Sequence, residues 1–156
     1  CVDLPLDVKE LLAEFASSKV EAVIVGGYGV GFHGRPTTTK DIDLVLEPSP
    51  ENLDRAAEAL DRFGAPPVVV EGVRCMQPTE VVFFGQPPLR IDFLRTIDGV
   101  TTETLFANAV TTTLDHVPVR VISLPDLISN KRAAARPQDL LDAAYLERVQ
   151  AKRSQK

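Results

Sequence analysis

Cysteine is scarce in this chain of 156 residues, and Cys1 and Cys75 are the two it has. Two cysteines make no disulfide framework, so a reducing cytoplasm is the expected setting. Cys75 also lacks the His and acid companions of a thiol nucleophile. Histidine is equally scarce: His33 and His116 stand too far apart, and too unaccompanied, to suggest zinc. No apolar run approaches the about 18 residues of a membrane span, and the first residues are not expected to be a signal peptide. Positive charge is not in excess. The formal net charge is −5, which argues against nonspecific coating of DNA or RNA but is compatible with a local basic cleft for a nucleotide or an RNA end.

What is present suits one globular domain with a proper core: 44% of residues are apolar and 25% charged. Its organising stretch is residues 23–46, VIVGGYGVGFHGRPTTTKDIDLVL. A hydrophobic run meets Gly26-Gly27, a polar loop follows, and the chain re-enters an apolar run carrying Asp41 and Asp43. Acids at i and i+2 of a strand share a face. Holding two carboxylates together in an apolar strand is repulsive, and a bound cation is the usual reason to tolerate it. Mg²⁺, a hard ion, takes carboxylate oxygens.

Around this stretch the pattern predicts a helix over 7–18, with Val8, Leu11, Leu12 and Phe15 on one stripe, and a strand from Val20 to Val25. One or two helical turns are expected over 28–33, broken by Gly34 and Pro36. Ser49 and Pro50 form an N-cap and N1 pair for a helix over 50–63. Val68–Glu71 and Glu80–Phe84 read as strands, GQPP at 85–88 as a turn, and Arg90–Leu94 as a strand holding Asp92 between Ile91 and Phe93. A short helix or lid is expected over 101–109, then strands at Thr111–Leu114 and Val117–Ile122. Ser123 and Pro125 open a helix running to Arg136. Pro137 starts a last helix with Leu140, Leu141, Ala144, Tyr145 and Val149 as its apolar positions, and AKRSQK follows as a polar tail. The fold class is α+β, a mixed sheet flanked by helices.

Asp41, Asp43 and Asp92 each sit in an apolar strand context where an unpaired charge is costly. Converging from adjacent strands, they can hold two Mg²⁺ ions about 4 Å apart, one activating the attacking oxygen and one holding phosphates and leaving oxygen. Gly26-Gly27 lets the backbone approach an anion and present N–H groups to it.

An apolar residue, Gly26-Gly27, thirteen intervening residues, Asp41-Ile42-Asp43 and later Ile91-Asp92-Phe93 together resemble the nucleotidyltransferase superfamily of the DNA polymerase beta type. The run from Gly26 to Leu46, with SLPDLISNKRAAARPQDLLDAAYL at 123–146, is similar to minimal and abortive-infection toxin-type members. The resemblance implies residues 1–122 as catalytic domain and 123–156 as a C-terminal helical segment packed on it. It further implies Asp41 and Asp43 as metal ligands that also meet the triphosphate, and Asp92 as the acid that completes the two-metal site and helps deprotonate the acceptor hydroxyl. A nucleoside monophosphate would move from a nucleoside triphosphate (ATP among the candidates), with Mg²⁺ or Mn²⁺, to a tRNA end, a protein or a small molecule. Lys131 matches the position of a phosphate-contacting lysine, with pairing to Asp139 as the plain alternative, and an acid near Asp139 supports the basic residues of the cleft. A toxin–antitoxin setting with an antitoxin partner is also implied. Many members carry serine after the first glycine; Gly27 leaves backbone N–H alone.

Arg35 and Lys40, in the loop with threonines 37–39, are candidates to reach the triphosphate. His33 is a candidate contact to phosphate or base, and Tyr28 either stacks on a base or fills the core. Two other functions compete. A catalytically inactive nucleotide-binding or protein-interaction module would keep the fold without turnover. A metal phosphodiesterase would use the same acids but ordinarily more histidines. GGYGVG lacks the GxGxxG spacing of a dinucleotide fold.

Overall fold

Along residues 41–46 the side chains of Ile42, Leu44, Val45 and Leu46 are buried while Asp41 and Asp43 are half-buried, and the rest of the fold is laid on either side of that strand. The computed structural model describes residues 6–35, 41–86 and 89–155. In chain order these form α1 (Leu6–Ser17), β1 (Ala22–Val25), α2 (Gly26–Phe32), β2 (Asp41–Leu46), α3 (Pro50–Phe63), α4 (Pro67–Arg74), β3 (Val82–Gln86), β4 (Leu89–Leu94), α5 (Thr102–Asn108), β5 (Val110–Leu114), β6 (Val117–Val121), α6 (Leu124–Ala134) and α7 (Pro137–Ser154).

The six strands make one mixed sheet in the order β3-β4-β2-β1-β6-β5. β2 runs antiparallel to β1 and parallel to β4, and β1 runs parallel to β6. Successive side chains alternate between faces, so the sheet has an apolar face and an acidic one. On the apolar face Leu44 and Phe93 are neighbours in register; Phe93 meets Phe15 of α1 at 6.0 Å, and Phe84 meets Phe63 of α3 at 6.1 Å between ring centroids. Helices α1, α3 and α4 form this layer. On the acidic face α2 covers β1 and β2 and touches α6, which packs along α7. Among the described residues no helix covers the β3 side of that face, where Val81 and Phe83 are 48% and 55% exposed.

Local signals explain most boundaries. The Ser49 hydroxyl accepts from the Asn52 N–H with Pro50 in the first turn, and Gly64 closes α3 in the left-handed region. Ser123 caps α6 in the same way. Residues 68–71 correct the expectation of a strand: they lie in α4, which Pro67 opens. Val69, Val70 and Val73 are buried while Val68 is 78% exposed, the one-sided burial of a helix packed on a neighbour. Packing against α3 and β3 outweighs the strand preference of three consecutive valines. The expected strand at 80–84 is shifted to β3, so Gly85 and Gln86 continue it where a turn was expected; residues 87 and 88 lie outside the described residues. The expected tail from Ala151 stays helical to Ser154. On α7 the expected apolar stripe is displaced: Asp139, Asp142, Ala143 and Leu146 are buried, whereas Leu140 and Leu141 are exposed. The two acids turn inward because their partner is there.

Candidate active site

Asp43 of β2 stands in register with Asp92 of β4 and Val25 of β1, and Asp41 lies two residues back on the same face. The three acids therefore occupy one patch at the end of β1, where α2 begins. Burial, then the charges of Asp92 and Asp41, push the Asp43 carboxyl up to about 6, and Lys131 and Arg90 offset this only in part. The cluster is short of positive charge. Gly26 abuts it: at φ +63° a side chain is strained, and a Cβ there would overlap the Asp43 carboxylate. The glycine is required by space and by backbone conformation together.

Gly26, Gly27 and Asp43 line a cleft of about 380 Å³ together with Asp98 and, from α6 and α7, Asn130, Lys131, Arg136 and Asp139. N–H groups in the first turn of a helix have no intrahelical acceptor, and α2 starts at this cleft. Lys131 is 8% exposed, with its Nζ 3.2 Å from Asp139 and 3.4 Å from Asp142. Arg136 donates its backbone N–H and its Nε to the same Asp139 carboxylate, the latter at 2.6 Å. Burial works to raise Asp139, but the hydrogen bonds from Arg136 and Lys131 outweigh it and hold the carboxyl below its ordinary value. Two cations and two acids thus brace one another beside the acid cluster.

Asp92 has a partner of its own. Arg90, also two residues back on the same strand, grips it in a fork, Nε to Oδ1 at 2.7 Å and Nη2 to Oδ2 at 3.2 Å. The guanidinium lies 4.6 Å from the centre of the Phe83 ring. Among the described residues no three His, Cys, Asp or Glu side chains stand where they would jointly hold a metal ion. The donor chemistry nonetheless fits a hard divalent cation: every candidate ligand is a carboxylate oxygen, and burial, then the neighbouring Asp92 and Asp41 charges, raise the Asp43 carboxyl to about 6. Joint ligation by all three acids requires the Asp92 carboxylate to turn from its present grip.

The other sequence candidates are spread more widely. Arg35 faces α7, with its Nε 3.2 Å from Asp142, an Nη1 bond to the Leu141 carbonyl and its guanidinium 5.4 Å from the Tyr145 ring centre. Lys40 lies outside the described residues. His33, the candidate phosphate or base contact, is 2% exposed, with Nε2 2.7 Å from the Ile122 carbonyl and Nδ1 3.4 Å from Arg153. Because a guanidinium only donates, Nδ1 accepts and Nε2–H donates; burial lowers the pKa of this ring. It ties α2 to β6 and α7. Tyr28 packs against the core. Arg90 and Arg136 were missed. Arg90 carried a legible signal, since a residue two places before Asp92 on a strand shares its face; Arg136 carried none beyond the following proline.

A family model described as "Nucleotidyl transferase of unknown function (DUF2204)" matches residues 5–156. Among solved structures, the lincomycin-bound lincosamide antibiotic adenylyltransferase LnuA aligns over 95% of this chain and 99% of its own, at 15% identity and TM-score 0.61. ANT(2″)-Ia in complex with adenylyl-2″-tobramycin aligns over 94% and 92%, at 16% and 0.55. An antigenic nucleotidyltransferase-like protein from Paracoccidioides brasiliensis aligns over 93% and 78%, at 16% and 0.54. At such identities these likenesses show the fold. No curated protein is significantly similar in sequence.

Proposed function

This chain belongs to the DUF2204 family of nucleotidyl transferases, and on that premise we propose that it moves a nucleoside monophosphate from a nucleoside triphosphate to an acceptor hydroxyl with Mg²⁺ or Mn²⁺ at Asp41, Asp43 and Asp92. The observation that carries the reading is the patch of three acids, with Asp43 raised to about 6 and lining one cleft together with Gly26, Gly27, Lys131 and Arg136. Divalent metal would supply charge neutralisation for the phosphates and a lowered pKa for the attacking hydroxyl.

The chain's own residues divide the remaining work. Gly26 and Gly27 let backbone N–H groups approach the phosphates, Lys131 and Arg136 meet their negative charge, and Asp92 takes the acceptor's proton. The acceptor oxygen bonds to the α-phosphorus, the bond from that phosphorus to the bridging β-oxygen breaks, and pyrophosphate leaves with the electron pair. In this reading residues 1–122 are the catalytic domain, and 123–156 the helical segment that closes its cleft. Of the loop cations, Lys40 remains a triphosphate candidate on sequence grounds, whereas Arg35 acts through α7.

The test is transfer of α-phosphate label from each of the four nucleoside triphosphates to total RNA, lysate protein or small alcohols, beside Asp43→Asn. Label that persists in Asp43→Asn sinks the site assignment. A toxin role with an antitoxin partner belongs to the same reading; expression in a host cell is expected to arrest growth, and Asp43→Asn to lift the arrest. One observation favours a second reading, an inactive nucleotide-binding module: Arg90 already occupies Asp92. Metal-dependent triphosphate binding without transfer to any acceptor would select it.

A further inference from the structure

The β3 part of the acidic face begins beside Asp92, the register neighbour of the cleft residue Asp43. Phe83 stands directly across the β3–β4 ladder from Asp92, so its ring projects from the same face as the acids, and it is 55% exposed. Val81, two residues before it, is 48% exposed. The opposite side of β3 is in ordinary packing, with Phe84 on Phe63. One face of the ring carries the Arg90 guanidinium, 4.6 Å from its centre, and the exposed remainder offers apolar surface beside the acids on which a ligand ring can lie. Arg90 lies between the ring and the acid, one-third exposed. Its Nε and Nη2 serve Asp92, while Nη1 has no partner among the described residues and can take an anion.

We propose that Phe83 and Arg90 form the acceptor subsite, and that the acceptor is an alcohol carrying a flat ring and a negatively charged group, as a nucleoside monophosphate does. The ring lies against Phe83, the anion pairs with the Arg90 guanidinium as Asp92 turns from its grip, and the hydroxyl reaches Asp92, to which its proton passes as its oxygen bonds to the α-phosphorus and pyrophosphate leaves. A base-stacking aromatic next to a guanidinium is the chemistry that holds single nucleotides or unpaired ends. A polycationic acceptor such as the tobramycin of the ANT(2″)-Ia complex meets the wrong charge at Arg90. This subsite rests on the transferase reading above, because it needs Asp92 to face the acceptor.

The chain contains no tryptophan, so Phe83→Trp places a unique fluorophore at the subsite, and its exposure makes the change tolerable to the fold. The protein is first saturated with Mg²⁺ and a non-transferable α,β-methylene triphosphate, which calorimetry follows independently. It is then titrated with adenosine monophosphate, a short single-stranded RNA and tobramycin. Saturable quenching by the mononucleotide or the RNA is expected, weakened at least tenfold by adding Arg90→Gln. Equal quenching by both points to a free nucleotide, and tighter quenching by RNA to a strand end. Absence of quenching by either, quenching by tobramycin instead, or indifference to Arg90→Gln overturns the subsite while triphosphate binding survives. Failure of the triphosphate itself to bind removes both this inference and the reading beneath it.

Discussion

Gly26 and Asp43 contend for the same space. Alanine at 26 would adopt φ near +63° and push its methyl into the carboxylate, so Gly26→Ala is expected to cost about 1–2 kcal/mol in backbone strain and to abolish transfer by displacing Asp43; urea denaturation and the label assay read the two effects separately. Asp43 also makes stability depend on pH. Its carboxyl, raised to about 6 by burial and then by Asp92 and Asp41, binds its proton more tightly in the folded chain than in the unfolded one. That contribution is fully present below about pH 4 and is lost as pH rises through about 6. Asp139 runs the other way: its depressed value contributes above the unfolded pKa of about 4, and the contribution is lost as pH falls through the folded value. Unfolding free energy measured with chelator is therefore expected to decline between about pH 4 and 7 in the wild type. Asp43→Asn should flatten that slope and be more stable near pH 7 by on the order of 1–2 kcal/mol, since it removes like-charge repulsion.

Between elements, buried polar groups do the joining. Asn52 of α3, fully buried, accepts from the Glu21 N–H at 2.7 Å and donates to the carbonyls of Glu21 and Glu47. It clasps the start of β1 to the end of β2. Asn52→Ala leaves these backbone groups without their partner and is expected to cost roughly 2–4 kcal/mol, read by chemical denaturation. The α6–α7 junction rests on Lys131 between Asp139 and Asp142. Lys131→Met removes one cation from two buried carboxylates, leaving Asp139 to Arg136 and Asp142 to Arg35, and should cost about 1.5–3 kcal/mol; a double-mutant cycle with Asp139→Asn should recover a large part of it. If the cycle shows no coupling, the lysine is not the brace. At this scale sequence reading succeeded where side chains act locally. The Ser49 and Ser123 caps and the β2 alternation were legible because they involve neighbours along the chain. It failed at α4, whose valines obey packing rather than propensity, and on α7, where the inward face carries two acids that hydrophobic periodicity discounts.

Across the whole molecule, among the described residues, the two halves of the acidic face differ in cover: α2 lies over the β1–β2 side, and no helix lies over β3 on that face. Ligand binding at the covered side should stabilise the fold by mass action, so Mg²⁺ with a nucleoside triphosphate is expected to raise the unfolding temperature of the wild type and leave Asp43→Asn nearly unmoved. A thermal scan at several ligand concentrations measures this, and an equal shift in both proteins would place the ligand elsewhere.

The chain order of acids and glycines determined a good deal unaided. Acids at 41 and 43 must share a face, strand periodicity sets Asp92 between two apolar neighbours, and a glycine pair ending a strand implies close backbone approach. These follow from covalent geometry, which reaches only a few residues. Tertiary structure alone decided the rest. The β2–β4 register put Asp43 beside Asp92, the α6–α7 turn put Lys131 and Arg136 into the same cleft, and His33 was drawn inward to the Ile122 carbonyl. Each of these juxtapositions spans dozens of residues, and a sequence records such distances only through the packing that closes them.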